Sequence, residues 1–273
     1  MEIKQLMLII LLIAFYHNMG NAQINQVLET ALLECRYLDL RMEDTLSRHM
    51  TTDTMILQVG RQTTAFFSKD RVTADSVLST PNGSIKWINL GVQYNKKGRL
   101  QDWLSNDVQY YYWNYPEPGL MTVRSDFDGG VEYAEALSLP WEFRDSVKTV
   151  LGYECHLAEA EFRGRRWSAW YTLEVPVSVG PWKLQGLPGL VCEAYDDKGH
   201  YGYQLVSVAP AEGQAVLLHA WKKEYKHRTR EEIVQASVRQ DELMQEEVRQ
   251  KGMSGMLGGV NHMARPKELD LRR

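Results

Sequence analysis

The sequence predicts a mainly β protein built as a curved antiparallel sheet, a sandwich or an incomplete barrel, with a surface helix near its C-terminus. Three observations favour this fold class. Short runs rich in β-branched and aromatic residues recur along most of the chain. Turn residues, mainly glycine, proline, asparagine and aspartate, separate these runs at regular intervals. The length of 273 residues, with 44% hydrophobic content, is enough to bury one large core.

The first half of the chain is predicted to contain a series of strands. Apolar and polar residues alternate over part of residues 31–42, which indicates a strand, and residues 24–33 allow a short helix before it. Consecutive aromatic residues from Tyr110 to Trp113 favour a sheet covered on both faces, or a strand that lines an apolar groove. The predicted strands are 31–42, 54–60, 63–67, 84–90 (after a turn at 81–83), 110–113 and 120–124.

The second half predicts hairpins. The clearest spans residues 153–172 and turns at Arg163-Gly164-Arg165 between two runs that carry aromatic residues. An apolar strand begins at Leu190, and a second hairpin turns at residues 197–199 and returns over 201–208. A last strand is predicted over residues 214–221.

The C-terminal part is different in character. Thr229 and Glu232 have the spacing of a capping box, which predicts a helix that runs to about residue 250. The apolar stripe of this helix is thin, so it is expected to pack on the surface. Glycines, methionines and alternating charges over residues 252–273 predict a flexible tail.

The first 22 residues predict a secretory signal peptide. An apolar run of about eleven residues precedes Gly20-Asn21-Ala22, which has small residues where signal peptidases cut. Cleavage there would make Gln23 the first mature residue. The predicted organisation is therefore a signal peptide at 1–22, a β-rich domain at 23–228, and a helix with a flexible tail at 229–273. No transmembrane segment is expected in the mature chain.

Charge and cysteine content narrow the function classes. The net charge of −4, from 31 basic and 35 acidic residues, excludes nucleic-acid binding driven by bulk charge. Export would permit disulfides, yet Cys35, Cys155 and Cys192 allow at most one within the chain. Spacing does not choose the pair. The alternative, that all three are small buried hydrophobic residues, stays open.

One long segment carries a specific motif. Residues 152–190 resemble the signature region of the GLPGLI family of exported Bacteroidota proteins, with Val191 where the naming hexapeptide has isoleucine. The blocks that carry the resemblance are Gly-Tyr-Glu-Cys at 152–155, Phe-Arg-Gly-Arg at 162–165, Ala-Trp-Tyr-Thr at 169–172, Gly-Pro-Trp-Lys at 180–183 and Gly-Leu-Pro-Gly-Leu at 186–190.

The resemblance implies a compartment more than a reaction. It implies an exported, β-rich protein of the periplasm or cell envelope of a Gram-negative bacterium. The family is often met beside TonB-dependent outer-membrane transporters, so such a transporter, or another envelope protein, is the implied partner. The family has no assigned catalytic residue, and none is carried over.

Two interpretations of the motif stay open. In the first, the motif is a tight corner between strands that fixes the position of the sheet, because glycine permits positive φ and proline fixes its own φ. In the second, it is the rim of a ligand site, with a tryptophan as wall and a lysine as polar contact. The residues concerned are Trp182, Lys183, Gly186, Leu187, Pro188, Gly189 and Leu190.

The hairpin tip is a second candidate site. Arg163, Arg165 and Arg166 form a basic cluster suited to a carboxylate, a phosphate or an acidic partner, and the alternative is that they cover aromatic surface. Trp170 belongs to the same aromatic hairpin. No catalytic motif or metal-ligand spacing occurs, so no catalytic residue, metal or cofactor is predicted.

These observations favour a non-catalytic exported binding or accessory protein that has an envelope partner and an apolar or peptide ligand. An exported hydrolase with an unrecognised site is one alternative, and it requires convergent titratable groups. A carrier of lipid or another hydrophobic ligand is the other, and it requires a large apolar cavity.

Overall fold

A computed structural model describes residues 25–44, 48–97, 109–125, 130–220, 224–250 and Glu268. The predicted signal peptide lies outside these residues. So does the predicted tail, apart from Glu268. The described residues form a large sheet, a two-stranded sheet and three helices, so the predicted mainly β fold class is confirmed.

The first half of the chain contributes seven strands and two helices. Most predicted strands in this half are present, although their bounds shift by a few residues. The elements are β1 (Gln26–Thr30), β2 (Leu33–Asp44), β3 (His49–Val59), β4 (Thr64–Ser68), α1 (Lys69–Leu78), α2 (Gly83–Lys96), β5 (Gln109–Trp113), β6 (Leu120–Ser125) and β7 (Val131–Ala136).

The second half contributes hairpins followed by the long helix. The predicted hairpin at 153–172 is present and turns at Arg163 and Gly164. The elements are β8 (Glu142–Val150), β9 (Tyr153–Phe162), β10 (Arg165–Thr172), β11 (Leu190–Asp196), β12 (Tyr201–Pro210), β13 (Ala215–Leu218), β14 (Lys226–His227) and α3 (Arg230–Gln250).

The large sheet is an open sheet of twelve strands in the order β14-β7-β6-β5-β4-β3-β2-β12-β11-β10-β9-β8. Neighbouring strands are antiparallel, except that β14 runs parallel to β7. β8 and β14 are the two edge strands, so the sheet does not close into a barrel. The small sheet pairs β1 with β13.

Ion pairs between distant strands show that the large sheet curves back on itself. β7 and β10 stand eight places apart in the strand order, which is about 38 Å in a flat sheet. Arg163, in the turn that leads into β10, nevertheless forms an ion pair with Glu135 on β7. The curvature therefore brings the β9–β10 hairpin tip against the other end of the sheet.

The core lies on the concave side and is rich in aromatic residues. Tyr37, Phe66, Trp167, Trp182 and Tyr203 are buried there with aliphatic residues from both halves of the sheet. A second cluster lies on the opposite face of β4 and β5, where the small sheet covers it. Burial on both faces explains why these two strands read as continuous apolar runs rather than as alternating ones.

The aromatic strand β5 is covered on both sides. Tyr111 belongs to the main core, whereas Tyr110 and Tyr112 belong to the cluster beneath the small sheet. The sequence allowed a sheet covered on both faces or a strand that lines an apolar groove, and the structure shows the first.

The predicted strand at 84–90 is wrong, because this segment forms the N-terminal half of α2. Its short apolar run does not distinguish strand from helix by periodicity alone. α2 packs against α1, whose N-terminus is capped by the Ser68 side chain accepting a hydrogen bond from the Arg71 amide at 3.1 Å. The alternative of a helix over 24–33 is also wrong, since β1 occupies Gln26–Thr30.

Four strands, β1, β7, β8 and β14, were not predicted from the sequence. β14 has only two residues, and charged residues occupy part of β8. A bulge between Arg144 and Val147 shifts the faces of β8, so its pattern does not alternate strictly.

None of the helices in the described residues has the length and apolar composition needed to cross a bilayer.

Candidate functional site

The glycine-proline motif lies in the connection between β10 and β11. Leu187 and Leu190 are fully buried, whereas Gly186 and Pro188 face outward. The chain therefore turns with its leucines pointing into the core. This placement matches the strand-corner interpretation of the motif.

Two glycines are required here for different reasons. Gly186 has φ +90°, a backbone conformation that favours glycine. Gly189 lies against the end of β10, where an added Cβ would come within 1.9 Å of the Thr172 carbonyl oxygen. The loop is held further by the Trp141 indole, which donates a hydrogen bond to the Gln185 carbonyl at 2.8 Å.

Trp182 and Lys183 are buried rather than displayed at a rim. Trp182 packs on Trp167 and Phe162, with ring centroids 5.2 and 5.7 Å apart respectively. Lys183 is only 1% exposed. A buried ammonium needs oxygen partners to replace its hydration shell.

Lys183 finds three such partners. Its Nζ donates to Glu135 Oε1 and Glu268 Oε1, each at 2.5 Å, and to Tyr133 Oη at 2.9 Å. Burial lowers the pKa of Lys183, but the nearby oxygens of Tyr133, Glu268 and Glu135 outweigh burial, so its pKa lies above the ordinary value. This lysine therefore stays protonated and is unsuited to act as a general base at neutral pH.

Glu268 completes the cluster from the far end of the chain. Arg230 Nε and Nη2 contact Glu268 Oε2 at 2.6 and 2.5 Å, while Oε1 binds Lys183. Burial raises the pKa of Glu268, but the charges of Lys183 and Arg230 outweigh burial and hold it below the ordinary value. The sequence offered no signal for this contact, since residue 268 falls in the segment predicted to be a flexible tail.

The arginines of the hairpin tip bind carboxylates of this same chain. Arg163 pairs with Glu135, and Arg165 pairs with Asp196, where both side chains are almost completely buried. Asp196 Oδ1 also accepts hydrogen bonds from the His200 and Tyr201 amides, at 2.7 and 2.9 Å. Arg166 pairs with Glu159 on β9. The predicted basic cluster therefore ties the β9–β10 hairpin to β11 and, through Arg163, to the distant strand β7.

Trp170 lies on β10 apart from this cluster. Its ring is 9% exposed and is covered by Lys148, whose Nζ lies 4.4 Å from the ring centroid. Lys148 also binds Glu193 at 2.6 Å. The structure thus brings Arg163, Trp182 and Lys183 together but places Trp170 and Arg165 elsewhere.

An exposed apolar patch lies beside the edge strand β8. We define the β8 patch as Phe143, Val147, His156 and Tyr171. Phe143 and Val147 are 60% and 55% exposed. The rings of Phe143 and His156 contact Tyr171, with centroids 6.1 and 5.9 Å away, and Val147 pairs across the strands with His156. Tyr171 itself is only 7% exposed and His156 is half-buried, so Phe143 and Val147 supply the exposed apolar surface of the patch.

The β8 patch continues toward the end of the sheet. Leu151, in the β8–β9 turn, is 51% exposed, and Leu173, just after β10, is 53% exposed. Sequence reasoning missed this surface because β8 was not predicted.

The three cysteines are free thiols in the core. Burial raises the pKa of Cys35 to about 12. A hydrogen bond to the Cys192 thiol holds the pKa of Cys155 below its ordinary value and that of Cys192 above it. The structure thus has the buried thiols that were one of the two alternatives. Among the described residues, no group of three or more histidine, cysteine, aspartate or glutamate side chains is placed to bind a metal ion.

One family model matches part of the chain. A family model described as a protein of unknown function (Porph_ging) matches residues 162–193, which include the hairpin tip, Lys183 and the motif. No curated protein matches the chain.

Two solved structures of PNGF-II, in space groups P21 and C2, are similar to the chain. Both are 12% identical, with a TM-score of 0.48, and the matches cover 73% and 74% of this chain. The chain spans about a third of the length of that protein, because each match covers 31% of it.

Proposed function

We propose that this protein is an exported accessory protein of the cell envelope, of the GLPGLI type, that binds a partner protein through the β8 patch. The single observation that carries the proposal is the pair of large apolar side chains, Phe143 and Val147, exposed on the edge strand β8. An edge strand that exposes apolar side chains is a template for pairing with another chain.

The position of the patch indicates the form of the partner. In the part of the chain that the structure describes, β8 pairs with β9 alone, so its other edge presents backbone donors and acceptors. An extended apolar segment of a partner would pair with this edge and cover the patch. The resemblance to GLPGLI proteins supports an outer-membrane transporter as the source of that segment.

Export is tested by the mass of the protein isolated from its native envelope. Cleavage at the predicted site gives a chain that begins at Gln23. A chain that retains residues 1–22 would contradict export by signal-peptide cleavage.

Partner binding is tested by crosslinking in cells, followed by purification from the envelope. The wild-type protein is expected to recover a specific envelope protein, and F143S/V147S is expected to lose it. T149S, an exposed substitution on the same strand, serves as the matched control. Recovery of the same partner with F143S/V147S would contradict the proposal. A retained small lipid in native mass spectrometry, without a protein partner, would favour the carrier alternative instead.

A further inference from the structure

Lys183 and Arg230 hold one carboxylate group between them. Lys183 Nζ lies 2.5 Å from Glu268 Oε1, and Arg230 Nε and Nη2 lie 2.6 and 2.5 Å from Oε2. Each carboxylate oxygen therefore has its own cationic donor. Paired charge-assisted hydrogen bonds of this kind recognise carboxylates by shape as well as by charge.

The two cations are positioned by the body of the protein. Lys183 is 1% exposed and lies in the β10–β11 connection, between Trp182 and the motif corner. Arg230 is 6% exposed and is the first residue of α3, next to the Thr229–Glu232 capping box. Both residues precede Glu268 by at least 38 positions in the chain.

Two other carboxylates among the described residues contact this cluster. Glu135 neutralises part of the positive charge, but it is shared between Lys183 and Arg163. Glu231 faces Arg230 at 3.7 Å, yet its side chain is 56% exposed, so solvent weakens this pair. Without Glu268, Lys183 and Arg230 would each lose a carboxylate oxygen that lies within 2.6 Å, and the loss of a buried partner favours binding of another anion in its place.

We propose that Lys183 and Arg230 form a carboxylate-binding site, that Glu268 is its tethered occupant, and that a glutamate-bearing peptide segment of a partner competes for it. Glu268 lies eighteen positions beyond the last residue of α3, so the occupant reaches the site from a distant part of the chain. A tethered group acts at an effective concentration of about millimolar, so it excludes weaker external carboxylates until it is displaced. This inference does not rest on the β8 patch.

The test measures binding of a peptide by isothermal titration calorimetry, using the full chain. The probe is a C-terminally amidated peptide with the sequence of residues 262–273, which carries the glutamate in its own context. E268A is expected to bind this peptide at least tenfold more tightly than the wild type, since the competing occupant is gone. A peptide with glutamine in place of that glutamate is expected to bind E268A no more tightly than it binds the wild type.

E212A is the matched control, because Glu212 is exposed in a turn away from the site. E212A is expected to bind the probe peptide with the same affinity as the wild type. Equal affinity of E268A and wild type for the probe, or equal affinity of E268A for the two peptides, would overturn the proposal. If E268A does not fold by circular dichroism, E268Q replaces it. Failure of both to fold would show that Glu268 is a structural residue, which also overturns the proposal.

Discussion

Gly189 occupies a position that no other residue fits. Its Cα approaches the Thr172 carbonyl so closely that a Cβ would lie 1.9 Å from the oxygen, whereas near Gly186 the nearest atom to an added Cβ is 4.0 Å away. The first glycine of the motif is therefore required by backbone conformation, and the last is required by packing. Substitution of the two glycines is therefore expected to lower the unfolding free energy by different amounts.

We expect G189A to lose about 3 kcal/mol of unfolding free energy, because the backbone must move to relieve the clash. We expect G186A to lose about 1–2 kcal/mol from positive φ alone. G119A is the matched control, since Gly119 has φ +83° and open space around its Cβ position. Urea unfolding measures all three, and a G189A variant as stable as G186A would contradict the packing argument.

His219 is the buried titratable residue beneath the small sheet. Its ring lies between Phe67 and Tyr110, with centroids 4.7 and 5.1 Å away, and neither nitrogen has a hydrogen-bond partner among the described residues. Burial lowers the pKa of His219 to about 4. The folded state therefore holds this side chain neutral.

A depressed histidine pKa means that the unfolded chain binds the proton more readily than the folded protein. Stability is then complete above the ordinary pKa of about 6.5 and falls as the pH drops toward 4. We expect a loss of about 2–3 kcal/mol from this residue across that window. The measurement is the urea midpoint at pH 7, 5.5 and 4.5. H219F is expected to flatten this dependence, whereas H227Q, at an exposed site, should leave it unchanged.

At the scale of elements, α3 begins with the capping box that the sequence predicts. The Thr229 hydroxyl accepts from the Glu232 amide at 3.2 Å, and the Glu232 carboxylate accepts from the Thr229 amide at 2.8 Å. This interaction is local in sequence, so it is visible without the fold. It stabilises the helix start where Arg230 lies.

We expect T229A to weaken α3 by about 1 kcal/mol, because one amide loses its acceptor. Hydrogen exchange should speed up in the first turns of α3 and stay unchanged in β2 and β3. Equal loss of protection in both places would show that the helix and the sheet unfold as one unit.

The strands β10, β11 and β12 are joined by the buried Arg165–Asp196 pair. Both side chains are at most 1% exposed, and Asp196 also binds two amides that begin the return strand β12. Removing one partner of a buried pair leaves an uncompensated charge, which costs more than the intact pair contributes.

R165M is therefore expected to lose about 3–5 kcal/mol of unfolding free energy. R165M/D196N is expected to recover part of this loss, since the amide oxygen still accepts the two backbone hydrogen bonds without a charge. Guanidinium unfolding of the wild type, both single variants and the double variant gives the coupling energy. A double variant no more stable than R165M would contradict the argument.

At the scale of the whole molecule, the curvature of the sheet brings Glu135 on β7 against the hairpin tip and the motif loop. One carboxylate binds both Arg163 and Lys183, so it joins the two ends of the large sheet. The core between them buries aromatic side chains from both halves. The curvature of the sheet brings these charged side chains together, and their ion pairs in turn stabilise the curved sheet.

We expect E135Q to lose about 3 kcal/mol of unfolding free energy, because the buried Lys183 and the partly buried Arg163 lose their shared anionic partner. E142Q is the matched control, since the Glu142 side chain is 68% exposed on the edge strand, and its loss should stay below about 0.5 kcal/mol. Thermal or urea unfolding compares them. A similar loss for both would show that the buried charges contribute no more than a surface pair.

The sequence by itself determined the local elements of this protein. The main hairpin, the aromatic strand β5 and the capping box follow from turn residues, periodicity and short-range hydrogen bonds, all within a few neighbouring residues. The prediction from sequence was wrong at residues 84–90, where a short apolar run fits either a strand or a helix. The packing of this segment against α1 decides for the helix.

The tertiary structure alone decided what the candidate residues do. Lys183 looks like a polar contact at a rim, yet the curvature of the sheet and the position of Glu268 bury it among Glu135, Tyr133 and that glutamate. Ion pairs between residues 48 and 85 positions apart leave no pattern in the chain. The physical reason is that burial and charge pairing depend on which distant parts of the chain come into contact, and no local sequence pattern specifies those contacts.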